Sequence, residues 1–259
     1  MIRLILILLL LLPATDCAKN PVNHRYELTL ISSADEVRLG EEQDKAVLKL
    51  YGKTKDEKLQ HYISTLGARL VAVAHPRPFQ YHFTVINSGE VNAFALPGGY
   101  IYITRGALAA ANSEAEVAGI LGHEIGHVTA RPYARQQVRA MGLPIGSLIA
   151  TVFLGEPGLY LQRYIDVLLT GVYQSFGRRA ELQADQLGQE YAFKAGWDPR
   201  ETTRFLKTLD RTETNRNRGV FHGFFASHPE TSERIRKAEA RGDQMVNGTF
   251  PGKKERNRF

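Results

Sequence analysis

The 259-residue sequence predicts an α+β fold, mostly α, with one small sheet. Three observations predict it. Apolar residues recur at helical spacing over 33–51 and 55–74, the period drops to two at Tyr81, Phe83 and Val85, and helical patterning resumes from Ser113 onward. Helices placed before and after a few short strands make a layered α+β domain rather than an alternating α/β one. One compact domain suits the length, since a single domain takes roughly 100–200 residues and can reach about 250.

Taken in order, the chain opens with Met1-Ile2-Arg3, nine unbroken apolar residues from Leu4 to Leu12, and then Pro13-Ala14-Thr15-Asp16-Cys17. A basic start and an apolar run too short for a bilayer read as a secretory signal over residues 1–17, so the mature protein is expected to be exported, in a bacterium to the periplasm. Cys17 is the only cysteine and stands where bacterial lipoproteins carry their lipidated residue. Asp16 stands where such signals favour a small residue, which leaves two readings open: lipidation, or ordinary cleavage beside an incidental thiol. If Cys17 is lipidated, Ala18 and Lys19 after it favour an outer-membrane tether, because many lipoproteins kept at the inner membrane carry Asp there. A lone cysteine also excludes a disulfide scaffold and a Cys-based zinc ribbon, so any metal site must use His and carboxylates.

Residues 18–32 read as a linker and 33–245 as the folded domain. The helix of 33–51 is followed by that of 55–74, which His75-Pro76-Arg77-Pro78 terminates. Strands are expected over 81–85, 91–96 and 100–104, with Pro97-Gly98-Gly99 turning between the last two. Ser113 and Glu116 form a capping box in which each side chain answers the other's backbone N–H, so a helix starts there, and Pro132 marks its end. Residues 143–161 are apolar but broken by Pro144, Glu156 and Pro157, which suits a buried helical hairpin better than a membrane span. Residues 246–259 form a basic flexible tail.

The chemistry is concentrated in two places. Within the helix that Ser113 caps lies His123-Glu124-Ile125-Gly126-His127. Four residues advance a helix by about 400°, so the two imidazoles project one turn apart from one face, as a single tetrahedral zinc requires. Glu124 falls about 60° from His127, within reach of a water on the metal rather than of the metal. Val117, Leu121, Ile125 and Val128 make an adjoining apolar arc, while Ala115, Ala118, Gly119, Gly122 and Gly126 form a face of small residues. Interior glycine costs a helix about 1 kcal/mol relative to alanine, so that face is expected to meet another backbone at close range.

Zinc held by two imidazoles lacks a ligand, and the helix expected over about 177–195 offers one. Glu181 and Asp185 share its face with Ala184, Gly188 and Ala192, opposite Arg179, Gln183, Gln186, Glu190 and Lys194. Two carboxylates on a core-facing side cost several kcal/mol unless compensated, which a metal on one and an imidazole N–H on the other supply. Glu181 is accordingly expected as third ligand and Asp185 as the residue that orients a ligating histidine. Zinc on His123, His127 and Glu181, one ion per chain, would lower the pKa of its water toward about 7, with Glu124 taking the proton and passing it to the leaving amine.

With these motifs stated, the chain resembles the Ste-type and HtpX-like zinc metallopeptidases of the gluzincin class, particularly their periplasmic bacterial members. The resemblance covers roughly residues 33–241 and rests on Val91 through Gly99, on His123 through His127, on Arg178 through Asp185, and on Ser227-His228-Pro229 with Arg234 after it. It implies a zincin-like peptidase domain whose small sheet packs on the active-site helix, and an endopeptidase acting on misfolded or unassembled envelope proteins. It also implies that His228 is a catalytic loop histidine, able to block the metal or to stabilise the oxyanion. Arg234, like Asp185, would support the ligands rather than bind the metal itself. Hairpin order alone would make the strand of 91–96 central; the resemblance places it at an edge, with Asn92, Ala93 and Phe94 receiving substrate as an added strand. Two departures are Arg131-Pro132 where members often have Arg-His, and Gly177 where they often have Ser.

Two rival classes are weaker. An envelope chaperone or binding module on a peptidase fold would not need the general base that Glu124 supplies. The net charge of +6 could suggest a nucleic-acid partner, but export and the lack of any such motif argue against one. His24, His61, His75, His82 and His222 match no role and are expected to be structural or surface residues.

Overall fold

The computed structural model describes residues 17–19, 26–28, 32–130, 177–214, 228 and 231–248. Two short strands pair antiparallel: β1 (Cys17–Lys19), which begins at the last residue of the expected signal, and β2 (Tyr26–Leu28), within the segment expected as a linker. The apolar run of 143–161, the tail beyond 248 and the residues around Pro132 lie outside the described residues. None of the described helices is long and apolar enough to cross a membrane.

Helix α1 (Ser33–Tyr51) starts where Ser32 and Asp35 cap each other: Asp35 N donates to the Ser32 hydroxyl at 3.1 Å and Ser32 N to the Asp35 carboxylate at 3.3 Å. Helix α2 (Glu57–Val71) is shorter than its apolar pattern, because Asp56 accepts from Leu59 N and sets the first turn two residues late. Strands β3 (His82–Ile86), β4 (Ala93–Leu96) and β5 (Tyr100–Thr104) follow, then α3 (Arg105–Ala110), a one-and-a-half-turn helix that the periodicity did not announce. Thr104 ends the sheet and caps α3 with one hydroxyl, which accepts from Asn92 N and Ala107 N and donates to Glu90 O. Helices α4 (Glu114–Ala130), α5 (Arg178–Lys194), α6 (Arg200–Thr214) and α7 (Thr231–Val246) make up the rest.

The sheet order is β3-β5-β4, with β3 parallel and β4 antiparallel to the central β5. Among the described strands β4 is therefore at an edge, as the resemblance implied and hairpin order did not. Ile101 and Ile103 on one face of β5 and Tyr102 on the other are all at most 1% exposed, as suits a central strand. The two faces serve different layers. Phe83, Val85, Ala93, Ala95, Ile101 and Ile103 join the main core with α2 and α4, while Phe94, Leu96 and Tyr102 pack with Val47 of α1. The turn at Pro97–Gly99 lies so close to α1 that a Cβ on Gly98, whose φ is 74°, would stand 2.7 Å from Val37 Cα. Only glycine satisfies both the backbone angle and that approach.

Candidate metal centre

Helix α4 is buried along nearly its whole length, from Glu116 to Ala130. Its start is held by Ser113, whose hydroxyl accepts from Glu116 N at 3.1 Å. The reciprocal arm differs from the expected capping box: the Glu116 carboxylate accepts from Asn112 N at 2.7 Å, one residue earlier than the N-cap. The small-residue face does meet a backbone. A Cβ on Gly122 would come 2.9 Å from Gly188 O, and one on Gly188 would come 2.7 Å from His123 N. Two glycines facing each other let α4 and α5 cross almost in backbone contact, and that contact carries Glu181 and Asp185 to the histidines.

The result is a buried cluster of His123, His127, Glu181 and His228, each offering one donor atom within 4.8 Å of the others. His123 Nε2 is 2.9 Å from His127 Nε2 and 3.4 Å from Glu181 Oε2, and His127 Nε2 is 3.2 Å from Glu181 Oε1. A tetrahedral zinc with bonds of about 2.0–2.1 Å has ligand–ligand edges of roughly 3.3–3.4 Å, so the edge from each imidazole to its nearer Glu181 oxygen suits such an ion, and the two imidazoles need only separate slightly. Glu181 Oε1 is buried without a hydrogen-bond partner among the described residues, as a metal-binding oxygen would be. Two imidazoles and a carboxylate are also borderline donors that suit zinc.

Around this set the charges are tightly arranged. His123 Nδ1 is 2.9 Å from Asp185 Oδ1, the contact expected of an orienting carboxylate. Arg234, 2% exposed, forks onto Asp185: its Nε donates to Oδ2 and its Nη2 to Oδ1, both at 2.8 Å. Burial alone would raise the Asp185 pKa, yet the Arg234 guanidinium outweighs it and holds the carboxyl well below the usual range. Burial would raise Glu181 too, but the imidazoles of His228 and His127 override it and hold that carboxyl low. Burial would lower His123, but Asp185 and Glu181 lift it to about 9; His127, in which burial dominates, is lowered.

The structure brings Glu124 to the same place, 1% exposed beside the two histidines. The His228 ring stands inside the donor cluster. Its Nδ1 is 3.0 Å from Glu181 Oε2 and 3.3 Å from His123 Nε2, and its Nε2 is 3.5 Å from Glu124 Oε1 and 3.4 Å from Ala93 O. Ala93 thus opens toward the cluster, whereas the Phe94 side chain turns away and stacks on Tyr102 at 4.9 Å between centroids. Asn92 is buried, and its backbone is tied to Thr104. Gly177, the N-cap of α5, makes no side-chain cap bond.

Sequence reasoning missed a second buried support. Tyr191 OH is 3.0 Å from Thr129 Oγ1 and 2.8 Å from His75 Nδ1, tying α5 to the last turn of α4 and to the segment after α2. A tyrosine on the core side of a helix carries no signal of its hydroxyl partners; only the fold supplies them. Gln189 was missed for the same reason: its Nε2 donates to Pro199 O and Ala238 O, joining α5 to the elements before α6 and within α7.

Comparison with known proteins agrees with this geometry. Residues 55–242 match Peptidase family M48. The beta-barrel assembly-enhancing protease of Yersinia pestis is 32% identical over 200 residues, 73% of this chain and 40% of that protein. Its namesake in Escherichia coli K12 is 30% identical over 229 residues, 83% of this chain and 45% of that protein. The mitochondrial metalloendopeptidase OMA1 of Schizosaccharomyces pombe is 27% identical over 227 residues, 85% of this chain and 64% of that protein. The chain spans less than half the length of the two bacterial relatives.

Proposed function

The chain belongs to peptidase family M48, and on that premise we propose that it is a zinc-dependent endopeptidase cleaving misfolded or unassembled cell-envelope proteins. The observation that carries the reading is the buried set of His123, His127 and Glu181 with Glu124 beside it. When bound there, zinc polarises the scissile carbonyl and brings the pKa of water toward about 7. Glu124 takes the proton of the attacking water and delivers it to the leaving amine. Asp185 holds the His123 ring through Nδ1, and Arg234 holds Asp185. His228, whose ring stands in the donor cluster, would either block the metal or stabilise the negative charge that develops on the carbonyl oxygen.

Substrate adds along β4 as a further strand. In the antiparallel ladder Thr104 N donates to Asn92 O, so residue 92 is a bonded partner of 104 and, by alternation, 94 of 102. The peptide groups of Ala93 consequently point away from β5, toward the metal cluster. Backbone pairing there supplies affinity that does not depend on side chains, as a peptidase for many unfolded chains needs. The names of the bacterial relatives favour substrates of envelope assembly, and the apolar leader with Cys17 supports export to the periplasm with a lipid tether to the outer membrane.

Zinc content of the purified protein, together with casein digestion before and after chelation, tests the reading. One zinc per chain and chelator-sensitive cleavage are expected. A metal-free protein that cleaves casein, or a zinc-loaded one that never does, would refute it. Detergent-phase partitioning of wild type but not of Cys17→Ala checks the anchor, and partitioning of both into water would leave a free enzyme.

A further inference from the structure

Arg234 reaches more than Asp185. Its Nη1 lies 3.1 Å from Glu181 Oε2 and donates to the His228 carbonyl at 3.3 Å. One guanidinium thus touches the proposed third ligand, the residue that orients His123, and the backbone that carries His228. Its own position has little freedom, because the two-pronged bond to Asp185 at 2.8 Å on each prong fixes both its plane and its depth. All three side chains are at most 2% exposed, so no solvent screens the contacts.

The two oxygens of Glu181 are therefore inequivalent. Oε2 faces the guanidinium at 3.1 Å and His228 Nδ1 at 3.0 Å, with His123 Nε2 farther off at 3.4 Å. Oε1 faces His127 Nε2 at 3.2 Å and has no hydrogen-bond partner among the described residues. The geometry points to Arg234 as the positioning residue that reserves Oε2 and makes Glu181 a one-oxygen ligand through Oε1. This rests on the metal-site reading above and extends it. A carboxylate free to swing would close both oxygens on the ion and fill a position that water or the substrate carbonyl must take. A carboxylate with one oxygen committed to a buried, clamped cation cannot do so.

The test replaces zinc by cobalt in the full chain and compares wild type with Arg234→Lys, which keeps the charge but has no planar fork with which to hold Asp185 and Glu181 together. Wild type is expected to take up one cobalt and to show the intense visible absorption of a four-coordinate ion. Arg234→Lys is expected to bind cobalt about 10–100-fold more weakly and, once loaded, to absorb less strongly as the second Glu181 oxygen joins the ion. Unchanged absorption in a folded, cobalt-loaded Arg234→Lys overturns the inference and leaves the metal site standing. Failure of wild type to bind cobalt or zinc overturns the metal site itself, and the inference with it. Wild type alone gives a check that no folding defect can obscure: zinc K-edge absorption showing a single carboxylate oxygen on the ion supports the assignment, and two such oxygens refute it.

Discussion

The two edges of the three-stranded sheet are treated in opposite ways. Along β3 the outward peptide groups are covered. Gln60, on α2, donates from Nε2 to Phe83 O at 2.7 Å and accepts at Oε1 from Val85 N at 3.0 Å, while Thr54 N donates to Val85 O and Lys53 bridges Ile86. One side-chain amide thus imitates the peptide of a neighbouring strand. Along β4 the Ala93 carbonyl instead faces the imidazole of His228, itself within the cluster that could hold a metal. An exposed edge invites pairing with other chains, so a protein either closes it or uses it. The edge away from the histidines is closed by a side chain of α2, and on the one beside them the Ala93 carbonyl is turned toward the histidine cluster.

Glu124→Gln breaks the comparison most severely, because it removes the reason for an edge to face the cluster. Losing the general base is expected to lower peptide hydrolysis about 10²–10⁴-fold. Zinc content and melting temperature should stay near wild type, since no ligand is lost. Casein cleavage at the wild-type rate would end the mechanism. Glu181→Ala is its complement: activity falls because the metal is lost, so stoichiometric, tightly held zinc in that variant would disprove the ligand assignment.

Proline at two adjacent positions sharpens the contrast within β4. Ala93 N–H points outward, so Ala93→Pro is expected to spare the sheet and to remove from β4 one donor that an incoming strand would accept. That loss should weaken kcat/KM about ten-fold, the equivalent of one net hydrogen bond of about 1.4 kcal/mol. Phe94 N–H points to Tyr102 in the ladder. Phe94→Pro is therefore expected to lower the melting temperature markedly and to yield little folded enzyme. From the sequence the two substitutions looked equivalent, since alternation predicts which side chains share a face and not which edge a peptide faces. Equal, near-wild-type activity in both would rule out β4 as the substrate platform.

The same distinction explains how far the sequence could be read. His123, Glu124 and His127 were legible because four residues along one helix fix their mutual placement whatever surrounds them. Glu181 and Asp185 were legible because charged residues on a core-facing stripe demand a partner. Arg234 entered only through resemblance: it sits on α7, and nothing in its local pattern records that Asp185 lies opposite. Strand order was undecided for a related reason. Local alternation finds β3, β4 and β5, but only the long-range pairings, parallel with β3 and antiparallel with β4, put β5 in the centre. Gln60 left no trace at all, being one polar residue among others on an amphipathic helix.

Gln60 gives the mildest prediction for catalysis and the cleanest for the closed edge. Gln60→Ala leaves Phe83 O and Val85 N without their side-chain partners, which should cost about 1–3 kcal/mol of stability. Catalysis is expected to hold, because β3 is the strand farthest from the cluster in the sheet. Gln60→Glu separates the two hydrogen bonds. An ionised carboxylate can still accept from Val85 N but can only repel Phe83 O, whereas the protonated acid can donate to it. The folded state therefore favours the proton, and the pKa of the introduced carboxyl is raised above its unfolded value of about 4.3. A group whose folded pKa is raised contributes stability that is present below the unfolded pKa and is lost as pH rises through the folded one. The deficit of Gln60→Glu relative to wild type should thus be small in urea melts at about pH 4 and grow toward about pH 7. A deficit independent of pH, or a loss of peptidase activity in folded Gln60→Ala, would mean that the amide of Gln60 is not what closes that edge.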